Sequence, residues 1–173
     1  MKLGYVFKAE RGATDRLLAA AAESFIDEGL RVAGVVQHNT DCADSHLCDM
    51  DVKVLPGGPV FRISQSLGKE ARGCRLDPAA LEAAVAKVQS SLSPAPDLLI
   101  VNKFGKHEAD GRGFRDIIGQ CLANGIPVLC GINTLNRNAF DNFSAGLAEP
   151  VPADPDSLRE WVKDAVAATG RAA

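Results

Sequence analysis

The sequence has little of several features that define broad protein classes, and the first of these is a long apolar run. Its 173 residues contain no uninterrupted apolar stretch of the length that a signal peptide or a membrane-spanning helix requires. The first strand-like segment is flanked by the polar residues Lys2 and Lys8. These absences predict a cytoplasmic protein that does not bind a membrane.

An excess of basic residues is also missing. The chain has 19 Lys and Arg against 22 Asp and Glu, which gives a formal net charge of -3. Non-specific binding to a nucleic-acid backbone depends on clustered Lys and Arg side chains. The composition therefore predicts that nucleic acid is not a partner.

The cysteines lack the pattern of a secreted disulfide framework. There are five of them, an odd number, dispersed at Cys42, Cys48, Cys74, Cys121 and Cys130, and no Cys-x-x-Cys pair is present. This usage is typical of reduced thiols. Cys121 and Cys130 fall in a predicted helix and a predicted buried strand, so we expect both in the core.

Alternating strand and helix patterns predict an α/β fold. The apolar runs expected as strands are LGYVF, RVAGVVQ, DLLIV and PVLCGI. Helical periodicity follows the first strand, with Thr14 as the expected N-cap and Gly29 as the end of that helix. We therefore predict one α/β domain over residues 1–173, with a mainly parallel central sheet and helices on both faces.

Two segments depart from the simple alternation. Residues 38–66 combine polar and turn residues around MDVKVL and VFRIS, which are separated by the strong turn signal PGGP. They are expected to form a small antiparallel insert. Residues 154–170 have the amphipathic pattern of a C-terminal helix.

The turn after the first strand raises the question of a phosphate site. A strand, a short glycine-containing turn and a helix form the layout of a P-loop, but alignment on Gly12 puts Ala13 where the loop lysine belongs, and only Thr14 agrees. Backbone N–H groups at a helix N-terminus favour anions even without lysine. Gly12 and Thr14 are thus candidate anion-binding residues, and an ordinary strand-to-helix junction is the alternative.

A second loop, directly after DLLIV, is unusually rich in polar residues. It contains Asn102, Lys103, Lys106, His107 and Glu108. Ligands of open parallel sheets bind outside the carboxyl ends of the strands, where this loop is expected to lie. Asn102, Lys103 and Lys106 are candidate ligand-binding residues, and His107 and Glu108 are candidate acid or base groups. A solvated loop is the alternative.

Several long motifs resemble one known family. RISQSLGKEARGCRLD, DLLIVNKFGKHEADGRGF, GIPVLCGIN and AFDNFSAG are similar to those of a bacterial family labelled as a domain of unknown function. Genes of that family often accompany molybdenum-uptake genes. The family in turn resembles small P-loop nucleoside-triphosphatases, in which a strand ending in I-D-E-I-G-x-x-E carries the catalytic acids.

The resemblance implies that these acids have been replaced. On that motif, Asn102 stands at the position of the magnesium-linked aspartate and Lys103 at that of the catalytic glutamate. Phosphoryl transfer relies on charge neutralisation and on a group that orients water, so hydrolysis by the usual mechanism is not expected. Lys103 is expected to be the principal anion-recognition side chain, and a pairing of Lys103 with Asp15 or Glu108 is the alternative.

Two arginines flank Cys74 before the next predicted helix. Arg72 and Arg75 are candidates for a lid over the ligand, because guanidinium groups suit phosphate and other oxyanions. Each can instead pair with a surface acid. A candidate metal site consists of His46, Cys48 and Cys74, whose residue types ligate soft metals, although their spacing matches no zinc motif and also fits an ordinary surface loop.

Three functions remain open from the sequence. The first is a non-catalytic P-loop-like protein that binds a nucleotide or an inorganic oxyanion, with a regulatory role in molybdenum homeostasis implied by the resemblance. The second is a nucleotide hydrolase or phosphotransfer enzyme with an unorthodox site. The third is a Cys/His metal-binding protein. The expected partner is a small anionic ligand, and the sequence identifies no cofactor.

Overall fold

The computed structural model describes residues 1–40, 49–65 and 75–170. The strands in it are β1 (Leu3–Val6), β2 (Val32–Thr40), β3 (Asp49–Val54), β4 (Val60–Arg62), β5 (Leu98–Val101), β6 (Val128–Gly131) and β7 (Ala148–Pro150). The helices are α1 (Ala13–Asp27), α2 (Pro78–Ser90), α3 (Lys106–Ala109), α4 (Arg115–Ala123), α5 (Arg137–Ser144) and α6 (Pro155–Ala167), with a 3₁₀ turn at Thr134–Asn136. No helix within these described ranges is both long and apolar enough to cross a membrane.

All the described strands belong to one sheet, in the order β4-β3-β2-β5-β6-β1-β7. The five strands from β2 to β7 in this order, namely β2, β5, β6, β1 and β7, run parallel to one another. Their carboxyl ends therefore meet at one edge of the sheet. The predicted α/β fold with a mainly parallel central sheet of the P-loop type is confirmed.

The sheet is covered by helices on both faces, as the unbroken apolar character of its central strands predicts. On one face, α1 and α6 pack through Leu18, Phe25 and Leu158. On the other face, α2, α4 and α5 pack through residues that include Ile118 and Phe140. Each of these side chains is at most 2% exposed, so the molecule has two apolar layers that hold the sheet rigidly between them.

The antiparallel insert is confirmed in the part that the structure describes. β3 pairs antiparallel with β2 and with β4. The PGGP turn closes this hairpin, since the Gly58 N–H donates to the Val54 carbonyl at 2.8 Å. The insert extends the sheet beyond β2 and builds a wall beside the carboxyl end of β5.

Helix α1 begins one residue before the expected N-cap. Gly12 is the N-cap, in a left-handed conformation with φ of 72°, and Thr14 lies inside the first turn. A left-handed residue at this sharp strand-to-helix turn favours glycine, which explains the displacement. Asp77 does cap α2 as its position predicts, because its carboxylate accepts from the Ala79 and Ala80 N–H groups.

The sequence pattern did not predict β7 or α3. β7 contains only three residues, one of them Pro150, and pairs only with β1 at the edge of the sheet. α3 is a single turn, too short for helical periodicity to be visible. Cys121 and Cys130 lie in the core as expected, at 1% and 0% exposure.

Candidate functional site

A hydrogen-bonded chain of four polar side chains, here called the amide chain, links three elements at the carboxyl edge of the sheet. It runs from Gln37 and Asn39 on β2, through Asp15 on α1, to Asn102 after β5. Each of its three hydrogen bonds is 2.7 Å long. Buried polar groups are costly unless paired, so this chain fixes the helix and the two strand ends relative to one another.

Asp15 is the charged member of the amide chain. Its carboxylate is 4% exposed and accepts one hydrogen bond from the Asn39 amide and one from the Asn102 amide. It also lies in the first turn of α1, where the helix dipole stabilises a negative charge. The protein's own carboxylate therefore uses the N-terminal end of α1 that a P-loop offers to phosphate.

Lys103 lies beside this carboxylate. The Lys103 ammonium nitrogen is 4.0 Å from Asp15 Oδ1, and the lysine side chain is 38% exposed. The ion pair is long and partly solvated, so its attraction is largely screened. The ammonium group is consequently close to the buried acid and still accessible to an anion from outside.

The turn after β1 is closed by its own side chains. The Lys8 N–H donates to the Thr14 hydroxyl oxygen at 2.9 Å, which ties the start of the turn to α1. The Glu10 carboxylate accepts from Arg16 at 2.6 Å on the outside. The Thr14 hydroxyl oxygen is therefore already engaged by the backbone. A role of Gly12 and Thr14 in anion binding stays a prediction.

A cavity of about 420 Å³ opens next to the amide chain. Its polar lining includes Asn102, Lys103, Lys106, His107 and Glu108, all from the loop after β5 that the sequence singles out. Its apolar walls come from β2, the insert, the segment around α2, the start of α4 and the 3₁₀ turn after β6. The residues of these walls are Val35, Met50, Val52, Ile63, Leu76, Leu81, Phe114 and Leu135.

Asn102 connects the cavity to the amide chain. It is 2% exposed and donates its amide N–H to Asp15, while its Oδ1 has no hydrogen-bond partner among the described residues. A buried carbonyl oxygen without a donor is rare in folded proteins and often marks a position that a ligand or water completes. Asn102 therefore lines the cavity with a side chain whose acceptor oxygen is itself buried beneath the cavity surface.

Glu108 holds the loop after β5 in shape. Its carboxylate accepts from the Gly105 N–H at 2.9 Å and from the Phe114 N–H at 3.1 Å. Gly113, with φ of 59°, packs so closely that a Cβ there would collide with this carboxylate. Burial raises the pKa of Glu108 above its ordinary value, and the two backbone hydrogen bonds oppose that rise. Glu108 is thus engaged in supporting the loop.

His107 stands between the cavity and a second, more open depression beside α2 and α4. It is 6% exposed, and its Nε2 lies 3.5 Å from Glu82 Oε1 without hydrogen-bond geometry. No other partner of Nε2 occurs in the described part of the chain. His107 is therefore a buried imidazole that lines both depressions.

The remaining predicted residues are not brought to this cavity by the described structure. Arg75 donates from Nε to the Gln65 carbonyl at 2.9 Å and lies 3.5 Å from the Asp49 carboxylate, which anchors it to the insert. Arg72, His46, Cys48 and Cys74 lie outside the described residues. Within residues 1–40, 49–65 and 75–170, no group of three His, Cys, Asp or Glu side chains could hold a metal ion.

Sequence reasoning missed two kinds of residue at this site. It did not single out Gln37 and Asn39, although both follow the apolar run of β2 directly, which is a position where polar side chains mark a site. It also missed the apolar walls, because their residues have the ordinary spacing of core residues.

Comparison with known proteins identifies the family. Residues 3–161 match the family described as Protein of unknown function (DUF2478). The chain belongs to this family. The family resemblance expected from the sequence motifs is thus confirmed, and the amide chain and cavity belong to a DUF2478 protein.

One relative is a molybdenum transport protein by name. The chain is 34% identical over 150 residues to the molybdenum import ATP-binding protein ModC 2 of Bradyrhizobium diazoefficiens. The match covers 87% of this DUF2478 chain but only 17% of that relative. The chain therefore spans a small part of the length of the relative it matches.

A solved structure has the same fold. The crystal structure of THEP1 from the hyperthermophile Aquifex aeolicus superposes with a TM-score of 0.62 over 99% of this chain and 100% of that chain, at 14% sequence identity. At this identity the likeness concerns the fold alone. It therefore supports the mainly parallel α/β fold of the DUF2478 protein.

Proposed function

We propose that the protein is a non-catalytic P-loop-like domain that binds a nucleotide or an inorganic oxyanion through Lys103. The observation that carries the proposal is the partly exposed Lys103 ammonium, which belongs to the lining of the cavity. Lys106 lines the same cavity and adds a second positive charge. Two cations near a concave surface favour an anionic ligand.

The residues at the positions of the P-loop motifs do not suit catalysis. The turn after β1 has Ala13 in place of a lysine, and β5 is followed by Asn102 and Lys103 in place of two acids. A magnesium-bound triphosphate needs acidic or hydroxyl ligands for its metal and a positive charge at its terminal phosphates. An asparagine at the position of the magnesium-linked acid and a lysine at that of the catalytic glutamate instead favour an anion without a metal.

A regulatory role in molybdenum homeostasis is the physiological part of the proposal. It is supported by the match to a molybdenum import ATP-binding protein over 87% of this chain. A domain that binds a nucleotide or an oxyanion without consuming it reports the concentration of that ligand. Such a domain suits regulation better than turnover.

A phosphotransfer enzyme is the second candidate, and His107 is the observation that favours it. Its buried Nε2 lacks a hydrogen-bond partner among the described residues and faces Glu82 at 3.5 Å, a pairing that suits a general base. Metal binding through His46, Cys48 and Cys74 is a further alternative from the sequence. Stoichiometric metal in purified protein, lost on Cys48→Ser, would favour it.

A thermal-shift panel tests the proposal. The unmodified protein is heated with inorganic phosphate, sulfate, molybdate, AMP and ATP, each with and without Mg²⁺. A ligand at a hundred times its dissociation constant stabilises the folded protein by about 2.7 kcal/mol, so at least one anion is expected to raise Tm without Mg²⁺. No shift with any anion would refute the proposal, and a shift that requires Mg²⁺ would favour the enzyme.

A further inference from the structure

The cavity beside Asn102 is larger and more apolar than an inorganic anion requires. Its volume of about 420 Å³ lies within the range of small-molecule pockets. The charged residues of its lining, Lys103, Lys106, His107 and Glu108, all come from one short segment of the chain. The remaining lining is mainly aliphatic, with Phe114 as its aromatic member. The lining therefore suits a ligand with an apolar body and one anionic end.

The buried acceptor adds a second requirement. Asn102 Oδ1 is unpartnered within the described ranges, while the amide nitrogen of the same side chain is held by Asp15. This hydrogen bond to the Asp15 carboxylate fixes the orientation of the amide, because the carboxylate only accepts. Because this oxygen is itself buried, a ligand that completes the site must donate an N–H or O–H at the edge of its apolar body and displace the side chains that cover the oxygen.

We propose that this cavity holds the base of a nucleotide, with Asn102 Oδ1 accepting from an N–H group of the base. Lys103 and Lys106, at the charged side, bind the phosphate directly and without a bridging metal ion. This inference rests on the proposed anion-binding function and narrows its ligand class, since a bare oxyanion has neither an apolar surface nor the size to use the aliphatic walls.

The position of Leu135 is consistent with a nucleotide base that enters the cavity past the 3₁₀ turn after β6. It is 92% exposed and also lines the cavity. A large apolar side chain at the mouth of a pocket is covered when an apolar ligand binds. Nucleotide binding is thus expected to bury Leu135 as well as the walls.

The first experiment uses the unmodified protein and isolates the contribution of the base. Dissociation constants of AMP, GMP, CMP, UMP and ribose 5-phosphate are measured by calorimetry without Mg²⁺. The tightest nucleotide is expected to bind at least about tenfold more tightly than ribose 5-phosphate, because the sugar phosphate has the anionic group without the apolar ring. Equal affinity would overturn the base pocket and leave the anion-binding proposal standing. Binding of none of these compounds would overturn both.

A pocket-filling variant locates the base. Val52 is 3% exposed and lines the cavity, so Val52→Phe places extra volume inside it. Val60→Phe is the matched control, because Val60 is 59% exposed on the neighbouring strand β4 and is absent from the lining. Val52→Phe is expected to weaken nucleotide binding about tenfold and to leave ribose 5-phosphate binding unchanged. Unaltered nucleotide affinity in a folded Val52→Phe protein would place the base elsewhere.

Discussion

The Asp15 carboxylate accepts a 2.7 Å hydrogen bond from the Asn102 amide, although the two residues are 87 positions apart in the chain. This contact joins the first turn of α1 to the end of β5. Both side chains are buried, and Lys103 lies next to the pair. One hydrogen bond therefore determines the position of the Asn102 oxygen, which has no partner in the described part of the chain, and brings a negative charge close to the proposed anion site.

Removing this carboxylate is expected to destabilise the fold. Asp15→Ala removes the acceptor of the buried Asn102 amide and of the exposed Asn39 amide, and an unsatisfied buried group costs about 1–3 kcal/mol, whereas water can replace the acceptor of the exposed amide. We expect a loss of about 2 kcal/mol in the free energy of unfolding, measured with urea. The control is Asp156→Ala, whose side chain is 96% exposed on α6 and which should cost about 0.5 kcal/mol or less. Equal losses would show that the amide chain contributes no stability.

Purified protein is expected to have no measurable Mg²⁺-dependent hydrolysis of ATP or GTP. Ala13→Lys, which supplies the loop lysine, should not restore turnover, because Asn102 and Lys103 still stand where the resemblance places the catalytic acids. Phosphate release is the measurement. Robust turnover that is abolished by Lys103→Ala or His107→Ala would instead support the phosphotransfer enzyme.

Glu108 is expected to produce a specific pH dependence of stability. Burial raises its pKa in the folded protein above its ordinary value of 4.5, so the folded state binds a proton more readily than the unfolded state. Its contribution to stability is therefore greatest below about pH 4.5 and is lost as the pH rises through the folded pKa. Urea unfolding of wild type and Glu108→Gln is measured across this window. The free energy of unfolding of the wild type minus that of Glu108→Gln should decrease as pH rises. A difference that is constant or grows with pH would contradict the shift.

The two core thiols are expected to be unreactive. Burial raises the pKa of Cys121 to about 11, and burial also raises the pKa of Cys130. At pH 8 roughly a thousandth of the Cys121 thiol would be ionised even with full access to reagent. In a variant with Ser at positions 42, 48 and 74, a thiol reagent should label neither cysteine until the protein unfolds. Rapid labelling of the folded variant would place a core thiol at the surface.

The fold could be predicted from the sequence because its main signals are local. The runs that form β1, β5 and β6 are apolar at every position, and only a strand buried on both faces requires this. Asp77 and Pro78 likewise mark the start of α2 by adjacent residues. β7 was missed because three residues at a sheet edge contain too little pattern.

The candidate site could be predicted only in part, because most of its contacts join residues that are distant in the sequence. The polar residues from Asn102 to Glu108 lie within one short segment, so their position after an apolar strand reveals them. The amide chain instead joins Asn39 to Asp15 and Asp15 to Asn102, contacts that depend on the strand order of the sheet. The aliphatic walls come from several elements and are indistinguishable from core residues until the fold brings them around one cavity.

The central claim, that Lys103 recognises the anion, is tested most directly by calorimetric titration of two lysine variants. Lys103→Ala removes the ammonium group beside Asp15, and Lys163→Ala removes an exposed one from α6, on the other face of the sheet. Each variant and the wild type are titrated with molybdate, sulfate and AMP without Mg²⁺. We predict that Lys103→Ala weakens the binding of the anions that the wild type binds at least about tenfold, as expected for the loss of a charge-assisted contact, while Lys163→Ala binds as the wild type does. Equal binding by Lys103→Ala and wild type, or binding of no anion by either, would contradict the claim.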